Sequence, residues 1–345
     1  LLAARRLAVS DGVRMVMPGV YASQRAAALA EIVDLVVFDV DGVLVDVSHS
    51  FPIMICEAVT QYLRESGFTG DGLALTPEET RWFKISGGFN SDTTLAEAAA
   101  LFFLAKAEAS GTRSWRGMTA GSPALRDVLR DSARLGGGLA AFRRALLQRA
   151  SQDEAIRVEQ AWNRERIVRL TMEFYAGEDA DAVYGVPAKT YRGPGLMKQE
   201  LSLVQDSDLP EGPAYGLYTG RTAGEVAMAL KLTGIADRLS PSCIVTADAG
   251  VAKPDPAGLI QAAAAVRPRV LLYVGDNLDD WDAAARYETE RSPSDPPCLF
   301  AGILSGTLGT ASWELFQSRG AEVVADGVPN LMRWLASRQA LAARA

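Results

Sequence analysis

LVVFDVDGVLVD, residues 35–46, decides the fold. It sits in a short apolar run, Ile32–Val40, interrupted only by Asp34 and Asp39 and halted by Asp41-Gly42. An apolar run of that length, closed by an Asp-Gly turn signal, predicts a buried strand ending in a tight turn. Two carboxylates, Asp39 and Asp41, then stand at its C-terminal end. In open α/β sheets ligands bind outside the carboxyl ends of the strands. The polar residues that follow each comparable run are therefore the candidates for chemistry.

After about residue 210 such runs recur: Ala214–Tyr218, Cys243–Val245, Val270–Val274, Cys298–Ile303 and Glu322–Val324. Helical stretches separate most of them, among them Ala223–Leu232, Pro256–Ala265 and Asp280–Tyr287. Strands alternating with helices predict βαβ units and a doubly wound, parallel-sheet, Rossmann-like α/β core. Thr219-Gly220-Arg221 follow the second run, Lys253 lies in the loop after the third, and Gly275-Asp276 leads from the fourth to Asp279 and Asp280.

Between the first and second strands the texture is different. Phe51–Glu65, Pro77–Ile85, Ser91–Ala109, Ser122–Arg149 and Asp153–Tyr175 carry apolar residues at three- and four-residue intervals, with glycine breaks at Gly87-Gly88 and at residues 136–138. This predicts an inserted, mostly α-helical domain over residues 48–210. The core is then residues 31–47 and 211–345, and residues 1–30 form an N-terminal arm with a helix around Ala22–Glu31. Gly193-Pro194-Gly195 and the segment 209–213 mark the hinge zone. The glycines at 136–138 have no function legible from the sequence.

Composition narrows the chemistry. The 345 residues are 48% hydrophobic, enough for two domains with real cores. A net charge of −7 argues against a general nucleic-acid binder. No uncharged apolar run reaches the ~18 residues needed to span a bilayer. The opening LLAARRLAVSDGV has no long apolar stretch, which fits a secretory signal poorly. Three scattered cysteines, Cys56, Cys243 and Cys298, form no staple or zinc site and favour a cytoplasmic location. With a single histidine, His49, a Ser-His-Asp triad lacks support and an HExxH metal site is excluded. Carboxylates, hydroxyls, lysine and a hard metal remain.

Asp39, Asp41, Asp276 and Asp280 gather like charges that repel unless a cation neutralises them. Oxygen-only ligation with water in the shell suits Mg²⁺. Lys253 and the Thr219 hydroxyl would hold the oxygens of a transferring phosphoryl group, and amides of the Asp41-Gly42 turn could complete the cradle. The constellation suits attack by a carboxylate on phosphorus. Plainer readings stand beside these. Thr219 alone could cap the next helix, Lys253 could be an ordinary loop lysine, and Arg221 could bind ligand or form an ion pair. Asp279 and His49 fit surface or loop positions.

LVVFDVDGVLVD (Leu35–Asp46), LYTGR (Leu217–Arg221), Lys253 in AKPDP, and YVGDNLDD (Tyr273–Asp280) resemble, in order, the four motifs of the haloacid dehalogenase superfamily. The resemblance is to its subfamily I, phosphoglycolate phosphatase-like members, whose helical cap is inserted between the first and second motifs. It implies that Asp39 is a nucleophile forming an aspartyl-phosphate and that Asp41 protonates the leaving oxygen and then activates water. Thr219 and Lys253 would hold phosphoryl oxygens, with Gly42, Gly220 and Arg221 lining the substrate site. Mg²⁺ would be held by Asp39, Asp41 through its carbonyl, and Asp276, with Asp280 supporting its waters. In this family type a cap loop selects substrate. That places Lys84 and Asn90, flanking Gly87-Gly88, as candidate substrate contacts, the alternative being a plain helix–helix turn.

The expected function is a Mg²⁺-dependent phosphatase acting on a small phosphorylated metabolite, without nucleic-acid or membrane partners. A phosphomutase of the same superfamily uses the same motifs and is the nearest alternative. A dehalogenase would lack the second acid and the metal acids. A non-catalytic scaffold would be favoured had Asp39, Asp41, Lys253 or Asp276 been lost. Substrate identity and oligomeric state are not legible.

Overall fold

In the computed structural model, which describes residues 12–306, 309 and 311–344, the chain separates into two compact units. One holds the residues up to Asp46 together with those from Leu201 onward, and the other is Val47–Glu200.

The first unit begins with β1 (Val13–Met17), β2 (Val20–Ser23), α1 (Gln24–Ala30), β3 (Leu35–Phe38) and β4 (Val45–Asp46). The helices of the second unit follow: α2 (Phe51–Glu65), α3 (Pro77–Ser86), α4 (Asp92–Ser110) and α5 (Leu125–Arg134). Then come α6 (Gly138–Leu147), α7 (Gln152–Ala161), α8 (Arg164–Ala176) and α9 (Ala180–Tyr184). The chain re-enters the first unit through β5 (Leu201–Ser202), β6 (Ala214–Tyr218), α10 (Ala223–Thr233), β7 (Leu239–Val245) and α11 (Ala257–Val266). It closes with β8 (Leu271–Gly275), α12 (Leu278–Glu290), β9 (Cys298–Ile303), α13 (Ala311–Ser318), β10 (Val323–Ala325) and α14 (Val328–Ala342).

The sheet order is β1-β2-β10-β9-β8-β3-β6-β7, parallel from β10 to β7. Strand β3 is central and wholly buried, as its unbroken Leu-Val-Val-Phe sequence requires of a strand covered on both faces. Leu35 and Val37 face a core made with Tyr218, Tyr273, Leu259, Ala283 and Phe316. Phe38, on the opposite face, stacks on Tyr215 at 6.0 Å. Phe38 is in register with Leu217 on one side and Val274 on the other. The chain runs from β3 to β6 and β7 on one side, then jumps to β8 on the other. The open crevice of a doubly wound sheet forms at such a switch point, here at the carboxyl ends of β3 and β8.

Two boundaries differ from the sequence expectation. Residues 13–30 are not a separate arm: β1 and β2 form an antiparallel hairpin that extends the sheet beyond β10, with Ala22 opposite Val323. The signal was Pro18-Gly19, a turn dipeptide between two short β-prone runs. The return to the first unit comes at Leu201 rather than 211, because Ser202 pairs with Val45 in a small second sheet.

In the helical unit α4 is buried on nearly every side, from Leu95 through Leu104, so it forms that unit's core. The stretch 153–175 is two helices rather than one. It breaks at Trp162-Asn163, where Asn163 Oδ1 accepts the Arg166 N–H at 3.0 Å as an N-cap. The glycines at 136–138 have a packing reason. Gly138 N–H donates to the Gly87 carbonyl at 3.1 Å, and a Cβ at Gly88 would lie 2.5 Å from Gly138 N. Two backbones cross there at a distance only glycine allows. Phe83, Phe89 and Phe142 pack beside the crossing with ring centroids 5.2–6.0 Å apart.

Candidate active site

Each parallel strand of the crevice delivers one polar residue past its last apolar position. The Asp39 N–H still donates to the Val274 carbonyl at 2.8 Å, and the Thr219 N–H to the Val245 carbonyl at 3.1 Å. These bonds extend the ladder by one step and fix where both side chains start. Asp41-Gly42 then turn: the Gly42 N–H donates to the Val45 carbonyl at 2.8 Å, with Gly42 at φ +74°. A Cβ on Gly42 would sit 2.4 Å from Asp276 Oδ2, so glycine lets the first motif close against the fourth.

The centre is a buried charge cluster. Lys253 Nζ lies 2.8 Å from Asp39 Oδ1 and 2.8 Å from Asp280 Oδ1. Carboxylate oxygens of Asp39, Asp276 and Asp280 come within 4.8 Å of one another, and all three residues are buried. Asp280 is saturated. Oδ1 accepts from Lys253 and from the Tyr273 hydroxyl at 2.6 Å, and Oδ2 accepts the N–H groups of Asp276 and Asn277, each at 3.2 Å. It therefore ties Lys253 to the turn after β8. Direct metal ligation through Asp280 would compete with these four bonds.

Arg221 is buried, and its Nε and Nη2 both lie 2.7 Å from Asp41 Oδ1, which is the ion pair that was the alternative to ligand binding. Thr219 does not cap α10: that cap is Thr222, in a reciprocal box with Glu225. Lys84 and Asn90 lie in the helical unit, where Lys84 Nζ is held by Asp92 at 2.8 Å and by the Asn90 carbonyl at 2.9 Å. Both partners of the lysine are local to the turn between α3 and α4. Asp279 gives its N–H to Asn277 Oδ1, and His49 is exposed. A Cβ at Gly220 would meet open space.

Sequence reasoning missed Tyr273 and Asn277. Tyr273 alternates with buried apolar residues along β8 and gave no polar signal. Asn277 caps α12, taking the N–H groups of Asp279 and Asp280, and its Nδ2 donates to Asp276 Oδ1 at 3.1 Å. An Asn three residues before Asp280, opening a helix, is a capping-box pattern the sequence did contain.

Burial pushes the Asp39 carboxyl up to about 7; Lys253 opposes this, while Asp280 and Asp41 add to it. Asp276 is driven well above the carboxylate range, by burial and then by Asp280 and Asp39. Burial pulls Lys253 down, but Asp280 and Asp39 outweigh it and hold the ammonium charged. Three buried carboxylates thus face one ammonium. Such an excess of negative charge fits a divalent, oxygen-seeking cation, with Asp39 and Asp276 as the acids whose oxygens are least committed.

Switch-point carboxylates, a lysine shared between two of them and a hydroxyl thus stand on successive strand ends of an α/β sheet. The chain belongs to the haloacid dehalogenase-like hydrolase family, whose sequence model matches residues 33–287. No curated protein matches the chain. Among solved structures it is similar to a structural-genomics target with 17% identity and TM-score 0.57, covering 88% of this chain and 98% of that one. It is also similar to the phosphatase Tt82 from Thermococcus thioreducens (22% identity, TM-score 0.49, 83% and 99% coverage). A hydrolase from Pseudomonas syringae matches with 16% identity, TM-score 0.45 and coverage of 88% and 98%. The first of these likenesses supports the fold.

Proposed function

We propose that the protein is a phosphatase that hydrolyses a small phosphorylated metabolite through an aspartyl-phosphate on Asp39. The observation that carries this is the convergence of Asp39, Lys253, Asp276 and Asp280 at the switch point, with Asp41 on the adjoining turn.

An Asp39 carboxylate oxygen attacks phosphorus while the bond from phosphorus to the leaving oxygen breaks, and Asp41 gives that oxygen its proton. Lys253 and the Thr219 hydroxyl stabilise charge on the phosphoryl oxygens. Water then attacks the phosphorus of the acyl phosphate, Asp41 takes the water's proton, and the Asp39 carboxylate is restored. Asp39 and Asp276, with the Asp41 carbonyl, would hold Mg²⁺, which supplies positive charge to the phosphoryl oxygens when bound. Val47–Glu200 would serve as the cap. A mostly helical lid on the crevice would favour small substrates over macromolecules.

The test is phosphate release from an aryl phosphate with and without Mg²⁺, comparing wild type with Asp39→Asn. Equal release by both proteins would refute the assigned nucleophile. Conversion of a sugar phosphate to its isomer, in place of phosphate release, would favour the phosphomutase.

A further inference from the structure

Arg221 offers something no expectation assigned it. Its guanidinium is buried beneath the Asp41 turn, and two of its nitrogens converge on a single oxygen, Asp41 Oδ1, each at 2.7 Å. Asp41 Oδ2 has no donor among the described residues, and the Asp41 side chain is 31% exposed against 1% for Arg221. The backbone of Arg221 is fixed as well. Its carbonyl accepts the Ala247 N–H at 2.9 Å, and its own N–H donates to Thr219 Oγ1 at 3.2 Å.

We infer that Arg221 is the positioning residue of the acid–base step: it holds Asp41 by Oδ1 so that Oδ2 is the oxygen that carries the proton. This rests on the phosphatase reading above. In a carboxylic acid one oxygen is a carbonyl that only accepts, and the other bears the O–H. A guanidinium has donors and no acceptor, so the oxygen it grips cannot be the one bearing the proton toward it. Oδ2–H is then left to donate to the departing oxygen as the phosphorus–oxygen bond breaks. Oδ2 takes a proton back when water attacks the acyl phosphate. The same residue orients Thr219: its N–H occupies a lone pair of Oγ1, leaving the hydroxyl proton to point at a phosphoryl oxygen. Lysine would preserve the charge but not the two-pronged hold.

The experiment measures pre-steady-state alcohol release from p-nitrophenyl phosphate and from an alkyl phosphate, with wild type, R221M and R221K. Only release that Asp39→Asn abolishes is scored. Release that survives Asp39→Asn would refute the phosphatase reading itself, separately from the role of Arg221. A p-nitrophenolate leaves without a proton, whereas an alkoxide needs one. R221M should therefore slow the alkyl substrate by about 100-fold and the aryl substrate by less than about 10-fold, within the range of general-acid effects. R221K should lie between wild type and R221M, and serves alone if R221M does not fold by circular dichroism. Equal losses on both substrates, or no loss on either, would overturn the assignment.

Discussion

Lys253 Nζ is equidistant, at 2.8 Å, from Asp39 Oδ1 and Asp280 Oδ1, so one buried ammonium serves two carboxylates. The two acids are not equivalent. Asp280 spends its remaining capacity on Tyr273 and on two backbone amides, whereas Asp39 heads the open end of β3.

Asp280 as anchor and Asp276 as ligand make opposite predictions. Asp280→Asn leaves Lys253 half-paired and should cost about 3 kcal/mol of stability in metal-free protein, since breaking a buried pair is strongly destabilising. Its Mg²⁺ affinity should change only a few-fold. Asp276→Asn replaces a carboxyl whose ionisation burial, Asp280 and Asp39 all oppose, so it should raise metal-free stability above neutral pH while lowering Mg²⁺ affinity about 10-fold or more. Thermal unfolding across a Mg²⁺ titration reads both, and a matching pattern for the two variants would contradict the division of labour.

The pH dependence of metal-free stability has a definite sign. Asp39 is pushed up to about 7 in the folded protein, against roughly 3.9 for an unfolded aspartate. The folded state therefore keeps a proton that the unfolded state has lost. Asp39's contribution is complete below about pH 4 and is lost as pH rises through 7. With chelator present, Tm should fall between pH 5 and 7, and Asp39→Asn should flatten that slope. Saturating Mg²⁺, which favours the carboxylate, should flatten it too. Parallel curves for wild type and Asp39→Asn would contradict this.

Gly42→Ala tests the closure of the first motif on the fourth. The new Cβ would meet Asp276 Oδ2 at 2.4 Å and Gly306 Cα at 2.7 Å, in backbone at φ +74°. The left-handed conformation alone costs about 1–2 kcal/mol, and Asp276 must move. A lower Tm and a weaker Mg²⁺ response are expected from calorimetry; wild-type values for both would show that this contact is not required.

In the helical unit, Glu173 clamps the segment after α9. Burial alone would raise its carboxyl. The N–H groups of Thr190 at 2.5 Å and Tyr191 at 3.0 Å, with Arg169 at 2.9 Å, outweigh burial and hold it below the usual range. A depressed carboxyl contributes stability above about pH 4.3 that is lost as pH falls through its folded value. Glu173→Gln should cost about 1.5–3 kcal/mol near pH 7. The difference should shrink toward pH 3 in urea unfolding, and a gap that stays constant would contradict it.

The sheet core was legible because its strands are buried on both faces and read as unbroken apolar runs, Leu35–Phe38 and Leu271–Gly275 above all. Asp39, Lys253 and Asp276 stood out because each breaks or follows such a run. The β1–β2 hairpin was hidden by its exposed face, where Arg14 and Met15 dilute the alternation. The break at Asn163 was hidden because helical periodicity continues across it. Tyr273 and Arg221 illustrate a deeper limit. Whether a polar group faces ligand or a neighbouring side chain depends on contacts between residues far apart in sequence, such as Arg221 and Asp41. No local pattern encodes those contacts.

Covalent attack by Asp39 is the step on which the proposed mechanism turns. The direct measurement is to quench the protein during turnover of an aryl phosphate, reduce it with borohydride, and map its peptides by mass spectrometry. Homoserine is expected at position 39, formed by reduction of the aspartyl-phosphate, and none when substrate is omitted. An unmodified Asp39 in protein that is turning over, or a reduced acyl phosphate at any other residue, would contradict it.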